Sequence, residues 1–280
     1  MPELPEVETV CRGLRPYLEG IRIRRVETRR SGLRVPFPVD LSQRLVGRTV
    51  ANVDRRSKYA LIRTEGGPDA VVMILHLGMS GRVRVDLPGA WPDLLKHDHL
   101  VLEMETGARV VLNDARRFGM VVLGNEADLS LHPLLRDLGP EPLGEHFDAP
   151  YLVNRLKGRK SPLKTALMDQ HVVAGLGNIY VCESLFHARL SPCRLASSLT
   201  PDRAGRLVEA VQTVLKDAIA AGGSTLQDHA QVSGELGYFQ HRFRVYGREG
   251  EPCSTPGCES AVQKLVQAGR STFFCGACQR

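Results

Sequence analysis

The sequence lacks long hydrophobic runs and has very little lysine. No stretch of about 18 apolar residues occurs, which excludes a transmembrane helix. Acidic residues follow the first methionine at once, where a secretory signal would need a basic and then an apolar segment. We therefore expect a cytoplasmic protein with no membrane partner.

The charge balance is basic, with 37 Lys and Arg against 31 Asp and Glu and a net charge of +6. This excess permits a polyanionic partner without demonstrating one. Most of the basic residues are arginine, which suits bidentate contacts to phosphate, although a GC-rich genome would give the same bias. Lysine is rare, and Lys58 and Lys96 are the only lysines before Lys157. We therefore expect Lys58 to have a specific role.

The opening MPELPEVE raises the question whether the start of the chain is itself a reactive group. An initiator methionine followed by proline is usually removed, which would leave the secondary amine of Pro2 as the N-terminus. An α-amino group has a pKa of about 8, so part of it is unprotonated near neutral pH and can form a Schiff base. Glu3 and Glu6 would then be neighbouring proton carriers. The alternative is an ordinary frayed terminus.

The periodicity divides the rest of the chain into regions. Apolar residues at helical spacing predict an amphipathic helix over residues 6–18. Short β-rich runs separated by turn residues, from Ile21 to Gly124, predict an antiparallel sandwich or barrel. The proline- and glycine-rich segment 132–144 is expected to be a linker, and helical periodicity follows it.

Prolines mark two helix starts in this helical region. Ser161 is expected to cap a helix that begins at Pro162, and Pro201 is expected to open a longer helix that ends near Gly222. The run RLKGRKSPLK at 155–164, which contains cations and no acid, leads into the first of these starts. Helix N-termini favour anions, so this run predicts phosphate binding; a solvated charged face is the alternative.

Four of the seven cysteines are bunched at the C-terminus in the pattern C-x4-C-x16-C-x2-C. Four thiolates in paired knuckles are typical of a closed structural zinc site, which supplies folding free energy to a short segment. Incidental thiols or two disulfides are the alternatives. Cys11, Cys182 and Cys193 are expected to be small buried hydrophobic residues. Arg270 falls in the hairpin loop between the knuckles, where an arginine can contact a phosphate.

Two turns in the β-rich region carry apolar residues where solvent-exposed ones are usual. Met79 lies in HLGMSG and Phe118 in NDARRFG, beside Arg116 and Arg117. Both could fill a hydrophobic core. Proteins that extrude a base from duplex DNA, however, need an apolar wedge to fill the gap and cations to hold the backbone.

Together these motifs resemble the formamidopyrimidine-DNA glycosylase family, bifunctional enzymes that remove oxidised purines and then nick the strand. The matching stretches occur in the family's order across essentially the whole chain: PELPEVE, SKYALI, HLGMSG, KHDH, NDARRFG, LGPEPLG, LMDQHVVAGLGNIYVCESLF, GGSTL with GYFQ, VYGR and the terminal four-cysteine ribbon. One departure is the first knuckle, C-x4-C, where the family usually has C-x2-C. Because of this difference, the resemblance does not fix how compact the first knuckle is or in which direction the hairpin presents Arg270.

The resemblance implies an α+β multidomain fold with an N-terminal helix on an antiparallel β-sandwich, a helix-two-turns-helix domain and a C-terminal zinc ribbon. The implied domains are a catalytic domain at 1–135, a linker at 136–149, a helical DNA-binding domain at 150–240 with a lesion loop at 222–240, and the ribbon at 241–280. It further implies one structural Zn²⁺ per chain, no organic cofactor, and damaged double-stranded DNA as the partner of a monomer.

The resemblance also assigns roles to individual residues. Pro2 would attack C1′ of the damaged nucleotide, Glu3 would protonate the sugar, Lys58 would donate a proton in β-elimination and Arg270 in δ-elimination. The implied DNA contacts are His76, His97, Arg116, Lys160 and Asn178. The implied wedge is Met79, Arg116 and Phe118, and the implied zinc ligands are Cys253, Cys258, Cys275 and Cys278.

Two rival functions stay open at this point. The first is a glycosylase of the endonuclease VIII type, which removes oxidised pyrimidines and shares the terminal proline and the ribbon. The second is a zinc-ribbon protein that binds nucleic acid without catalysis. Retention of Met1 would favour the second, because Pro2 would then be an amide and not an amine.

Overall fold

The computed structural model describes residues 2–89, 91–224 and 237–280. Much of the predicted lesion loop, 225–236, therefore lies outside the described residues. The chain divides into two compact units: Met1–Arg136 with Ala221–Tyr238, and Asp137–Ala220 with Phe239–Arg280. The described residues 221–224 and 237–238 group with the first unit, although the sequence assigned them to the helical region. Ser224 explains this grouping, because it is hydrogen bonded to Glu6 in the first helix.

The first unit is a β-sandwich with one long helix. Helix α1 spans Leu4–Leu18, two residues longer at its start than predicted, and α2 is a short helix at Leu41–Leu45. The strands are β1 (Ile23–Thr28), β2 (Val50–Arg56), β3 (Tyr59–Thr64), β4 (Val71–His76), β5 (Arg82–Asp86), β6 (Asp98–Met104), β7 (Arg109–Asn113) and β8 (Met120–Asn125). Each strand coincides with one of the predicted β-rich runs.

The strands form two four-stranded antiparallel sheets, in the orders β1-β6-β7-β5 and β2-β3-β4-β8. Both sheets contribute to one core, which also takes the apolar face of α1: Val10 and Leu14 of the helix are fully buried with Val53 and Leu100 of the strands. The start of the chain is thus fixed by the burial of the helix that follows it.

The second unit begins with four helices: α3 (Ala149–Leu156), α4 (Leu163–Leu167), α5 (Asn178–His187) and α6 (Pro201–Ala220). Two turns separate α4 from α5. The helix that opens at Pro201 is as predicted. The predicted cap at Ser161 is wrong by one position, since Pro162 keeps an extended ψ of 147° and is itself the N-cap.

The glycine-rich segment before α3 is held against the turns that follow α4. The Gly139 N–H donates to the Gln170 carbonyl at 2.8 Å, and the Ala174 N–H donates to the Pro140 carbonyl at 3.0 Å. A Cβ on Gly139 would lie 2.7 Å from the Val172 carbonyl carbon. The close approach therefore requires glycine, and this part of the predicted linker is bonded to the second unit.

The C-terminal ribbon consists of the antiparallel strands β9 (Gln263–Gln267) and β10 (Arg270–Phe274). It shares a small core with α5, formed by Cys182, Phe186, Val245, Val262, Phe273 and two of the terminal cysteines. The buried Glu183 carboxylate on α5 accepts hydrogen bonds from three consecutive backbone N–H groups, at residues 244–246. Across the described ranges, no helix is long and apolar enough to cross a membrane.

Candidate active site

The N-terminus is ordered and buried. Pro2 and Glu3 precede α1 and are both buried, and Glu3 is the N-cap residue. Reciprocal hydrogen bonds of a capping box join Glu3 and Glu6, with the Glu3 N–H donating to Glu6 Oε2 at 2.9 Å. The first residues are thus held in place and are not a frayed end.

The same Glu6 carboxylate reaches a distant part of the chain. Its Oε1 accepts from the Ser224 N–H at 2.8 Å and from the Ser224 hydroxyl at 2.9 Å. Gly223, with φ of +78°, comes so close that a Cβ there would lie 3.2 Å from Glu6. Ser224 immediately precedes 225–236, and sequence reasoning missed it. One carboxylate therefore ties the start of α1 to the entry of the predicted lesion loop.

Lys58 and His76 lie in one sheet, Lys58 in the turn before β3 and His76 at the end of the neighbouring strand β4. Lys58 lies at the tip of the β2–β3 hairpin and is 7% exposed, next to Ser57 in the left-handed region at φ of 55°. Tyr59 pairs with His76, their rings 5.1 Å apart. Burial, together with the charges of Lys58 and Arg34, lowers the pKa of His76 to about 4. The imidazole is therefore neutral at pH 7 and close enough to Lys58 to sense its charge.

The tautomer of His76 follows from its neighbour. The Gly78 N–H donates to His76 Nδ1 at 3.0 Å, so Nδ1 is the acceptor. In a neutral ring the proton must then be on Nε2. His76 consequently presents one N–H donor.

Two adjacent turns, which we call the wedge turns, carry the predicted wedge. The first is residues 77–81, after β4, and the second is residues 114–119, between β7 and β8. Met79 and Phe118 are 40% and 45% exposed, so neither fills the core. The Arg116 guanidinium lies over the Phe118 ring, 5.0 Å from its centroid. Apolar and cationic groups therefore share one exposed surface in the first unit.

His97 precedes β6 and is half-buried. Its carbonyl accepts from the Asp114 N–H at 3.0 Å, which joins it to the second wedge turn. Next to it, Asp98 is buried and accepts two hydrogen bonds from Arg84, at 2.8 and 2.7 Å. These bonds hold the strand end that carries His97.

In the second unit, the predicted residues Asn178 and Arg270 lie near one point of the ribbon. The Asn178 Nδ2 donates to the Ser271 carbonyl at 2.9 Å, and the Lys164 ammonium donates to the same carbonyl at 3.4 Å. Arg270, the next residue, is exposed at the start of β10. Lys160 is exposed, between α3 and α4.

Lys164 differs from its expected role. The sequence placed it in a cationic run, but its side chain is 0% exposed. A buried ammonium must be hydrogen bonded. Through its bond to the Ser271 carbonyl, Lys164 anchors the strand that begins with Arg270. No sequence signal separates Lys164 from its exposed neighbours.

The four terminal cysteines converge. Their Sγ atoms all lie within 4.8 Å of one another. The Cys253–Cys278 and Cys258–Cys275 sulfur pairs are 3.9 and 3.7 Å apart. These distances are too long for disulfides, and all seven cysteines are free. With metal–sulfur bonds of about 2.3 Å, the edge of a tetrahedral site is about 3.8 Å, so the cluster fits a four-thiolate metal ion.

The longer first knuckle still closes on this site. Thr255 inside it donates its N–H to Cys253 Sγ at 3.5 Å and accepts from the Cys258 N–H at 3.0 Å. The insertion therefore leaves both sulfurs on one side of the loop. Outside the cluster, Cys11 and Cys182 are buried as predicted, but Cys193 is exposed.

Comparison with known proteins decides the family. Residues 1–121 match the N-terminal domain of formamidopyrimidine-DNA glycosylase, and residues 138–230 match its helix-two-turns-helix domain. A formamidopyrimidine-DNA glycosylase of Dinoroseobacter shibae is 54% identical over the full length of both chains. The chain belongs to the formamidopyrimidine-DNA glycosylase family. It is thus a DNA glycosylase of base excision repair, and the predicted family, enzyme class and fold class are confirmed.

Solved structures of the formamidopyrimidine-DNA glycosylase family agree with this assignment. The MutM (Fpg) protein of Thermus thermophilus has a TM-score of 0.86 at 44% identity and covers 99% of this chain and 98% of its own. The Lactococcus lactis Fpg, in complex with DNA containing an abasic site, has a TM-score of 0.88 at 33% identity and covers 99% of each chain. The similarity extends over both units and the ribbon.

Proposed function

We propose that this glycosylase removes oxidised purines from duplex DNA and then cleaves the strand, with the amine of Pro2 as its nucleophile. The observation that carries the proposal is the buried start of the chain, where Glu3 and Glu6, which follow Pro2, are held by hydrogen bonds. Removal of Met1 converts Pro2 into a secondary amine. A buried amine favours the unprotonated form, which is the form that attacks carbon.

The chemistry follows from that amine. Pro2 nitrogen bonds to C1′ as the bond from C1′ to the base breaks, and Glu3 gives a proton to the sugar ring oxygen as the ring opens. The resulting iminium acidifies the C2′ proton. Loss of this proton and departure of the 3′ phosphate complete the β-elimination, and loss of the C4′ proton with departure of the 5′ phosphate completes the δ-elimination.

Lys58 and His76 have complementary roles in the proposal. The Lys58 ammonium gives a proton during β-elimination, and the neutral His76 donates its Nε2–H to a phosphate oxygen. A neutral histidine avoids adding a second charge beside Lys58, whose proximity is one cause of the lowered pKa of His76. The pair therefore combines a proton donor with a hydrogen-bond donor that does not titrate near pH 7.

The remaining predicted residues bind the DNA backbone. His97, Arg116, Lys160 and Asn178 contact phosphates, and Arg270 both contacts phosphate and donates the proton for δ-elimination. Met79, Arg116 and Phe118 fill the gap that the extruded base leaves. Because phosphate contacts release counterions, the affinity for DNA should fall steeply with salt.

One Zn²⁺ held by Cys253, Cys258, Cys275 and Cys278 gives the ribbon its folding free energy. Four protein ligands leave no open coordination position, so the ion's role is structural. We further propose that the enzyme is a cytoplasmic monomer, acting at the chromosome without an organic cofactor. The domain division at 1–135, 136–149, 150–240 and 241–280 belongs to the same proposal.

Borohydride trapping tests the proposal on duplex DNA with one 8-oxoguanine opposite cytosine, beside a thymine-glycol duplex. The expected result is a covalent adduct on the first duplex that maps to the N-terminal peptide. An adduct mainly on thymine glycol would move the protein to the pyrimidine-specific type. Absence of any adduct, with Met1 removed and zinc bound, would leave a DNA-binding protein without this chemistry.

A modified terminus gives a matched control. Pro2→Gly should keep part of the nicking activity through its primary amine, whereas acetylation of the N-terminus should abolish nicking, because an amide cannot form an iminium. Full nicking of abasic DNA by the acetylated enzyme would refute the role of Pro2.

A further inference from the structure

A fully buried carboxylate lies beneath the wedge turns. Asp114 is 0% exposed, and its two oxygens have different partners. Oδ1 accepts from the Ser80 hydroxyl at 2.6 Å, and Oδ2 accepts from the Gly119 N–H at 2.8 Å. The first bond crosses to the other wedge turn, and the second closes the turn that contains Asp114.

Ser80 continues this network. While its hydroxyl donates to Asp114, its oxygen accepts from the Arg116 N–H at 3.1 Å. Ser80 is itself 6% exposed, so solvent does not compete for these bonds. The hydrogen bonds therefore attach directly beside each wedge residue: Ser80 follows Met79, Gly119 follows Phe118, and the Arg116 backbone is bonded itself.

The network is anchored in the sheet. The Asp114 N–H donates to the His97 carbonyl at 3.0 Å, and the Asp114 carbonyl lies 3.0 Å from His99 Nε2. His99 is buried within β6. Asp114 thus links the rigid strand to both turns.

The two turns also touch at positions where no side chain fits. A Cβ on Gly78 would lie 2.3 Å from the Phe118 carbonyl carbon, and a Cβ on Gly119 would lie 2.8 Å from the His76 carbonyl oxygen. The backbones of the two turns can stay this close only if other bonds hold the turns together. The buried carboxylate supplies that hold.

We propose that Ser80 and Asp114 are positioning residues for lesion extrusion, which keep Met79, Arg116 and Phe118 in the arrangement that fills the vacated space in the duplex. This inference rests on the function proposed above. Neither residue needs to contact DNA. If the wedge residues became ordered only when DNA binds, the entropy lost on ordering would oppose their insertion. The hydrogen-bond network orders them before DNA binds and so removes this cost.

The test compares two substrates that share the chemistry but not the extrusion. The first is a duplex with 8-oxoguanine opposite cytosine, and the second is a single strand with one abasic site, in which no opposite base leaves a gap. In single-turnover measurements, Ser80→Ala should slow the duplex reaction about tenfold and leave borohydride trapping on the single strand within about twofold of the wild type. Asp114→Asn should act in the same direction.

A double-mutant cycle identifies the route of the effect. If Ser80 acts through the wedge, the rate losses from Ser80→Ala and Phe118→Ala on the duplex should combine to less than their product, since both changes weaken the same wedge. Ser197→Ala, which removes an exposed hydroxyl in the second unit, is the control and should match the wild type.

Two results would overturn the inference: equal losses on both substrates, or effects of Ser80→Ala and Phe118→Ala that multiply in full. If Asp114→Asn does not fold, Ser80→Ala alone still decides, because it removes only a hydroxyl. Failure of the proposed function would show differently, as the absence of a trapped adduct on either substrate with the wild-type enzyme.

Discussion

Arg116 in the sandwich and Arg270 in the ribbon present the same group to solvent but are held by different means. The turn of Arg116 is fastened by a buried carboxylate and a serine hydroxyl on a large two-sheet core. The strand of Arg270 has a small core, two side chains that donate to the Ser271 carbonyl, and a cysteine cluster nearby. The sandwich can therefore order its arginine by packing and hydrogen bonds, whereas we expect the ribbon to require a metal ion as well.

The largest expected effect comes from removing one of the proposed metal ligands of the ribbon. Cys275→Ser should lose zinc, and DNA affinity should fall by at least about a hundredfold, because metal binding of about 10–16 kcal/mol supplies most of the ribbon's folding free energy. Zinc content by metal analysis and affinity by fluorescence anisotropy measure both effects.

The control for this change is Cys193→Ser, since Cys193 is exposed and lies outside the cluster. It should keep zinc and affinity. Tight DNA binding by a metal-free Cys275→Ser protein would show that the ribbon orders Arg270 without the ion.

Replacing either of two buried glutamates, one in each unit, should have an effect of intermediate size. Glu183 accepts three backbone N–H groups at the entry to the ribbon, and Glu6 accepts from Glu3 and Ser224 in the first unit. Replacement by glutamine puts an N–H₂ group against N–H donors in both cases. We expect a loss of about 2 kcal/mol in the free energy of unfolding for each variant.

The functional consequences should separate by unit. Glu183→Gln should release zinc to a chelator faster and leave trapping on single-stranded abasic DNA intact, whereas Glu6→Gln should slow trapping and keep its zinc. Each variant is the control for the other. Equal zinc loss in both would mean that the two units are not independent in this respect.

The smallest expected effect is the pH dependence that His76 gives to the sandwich. The pKa of His76 is lowered to about 4 by burial first and then by Lys58 and Arg34, against an ordinary value of 6.5. Between these values the unfolded chain binds a proton that the folded protein does not. Stability should therefore be constant above about pH 6.5 and fall as the pH drops toward 4.

Urea unfolding at pH 7 and pH 5.5 measures this effect in the wild type and in His76→Gln. The wild type should lose about 1 kcal/mol more than the variant over this interval. Identical losses in the two proteins would exclude His76 as the source.

Sequence reasoning succeeded where the signal is local. The β-rich runs located all eight strands of the sandwich, because alternation and turn residues act over a few positions. The cysteine spacing located the four-cysteine cluster for the same reason. The cap predicted at Ser161 is wrong because it depends on a distant residue. Pro162 forms a β-bridge with Leu195, and this pairing goes with the extended ψ that makes Pro162 the N-cap.

What the sequence did not reveal depends on contacts between distant residues. The Glu6–Ser224 bonds join positions 218 residues apart, and nothing near Ser224 marks it as a partner. Lys164 is buried by the approach of Ser271, although its neighbours predict a solvated or phosphate-binding surface. The roles of Asp114 and Ser80 likewise became visible only when two turns met in space.

The Glu6 contact has a consequence for how this protein can change over time. Because one carboxylate serves the start of α1 and Ser224 together, with Gly223 packed against it, the effects of substitutions at these positions should depend on one another. We expect a substitution at position 6 to cost less stability when 223 and 224 change with it than when it occurs alone. The sequence at the entry to the 225–236 segment can therefore diverge among descendants only as far as this one buried glutamate allows.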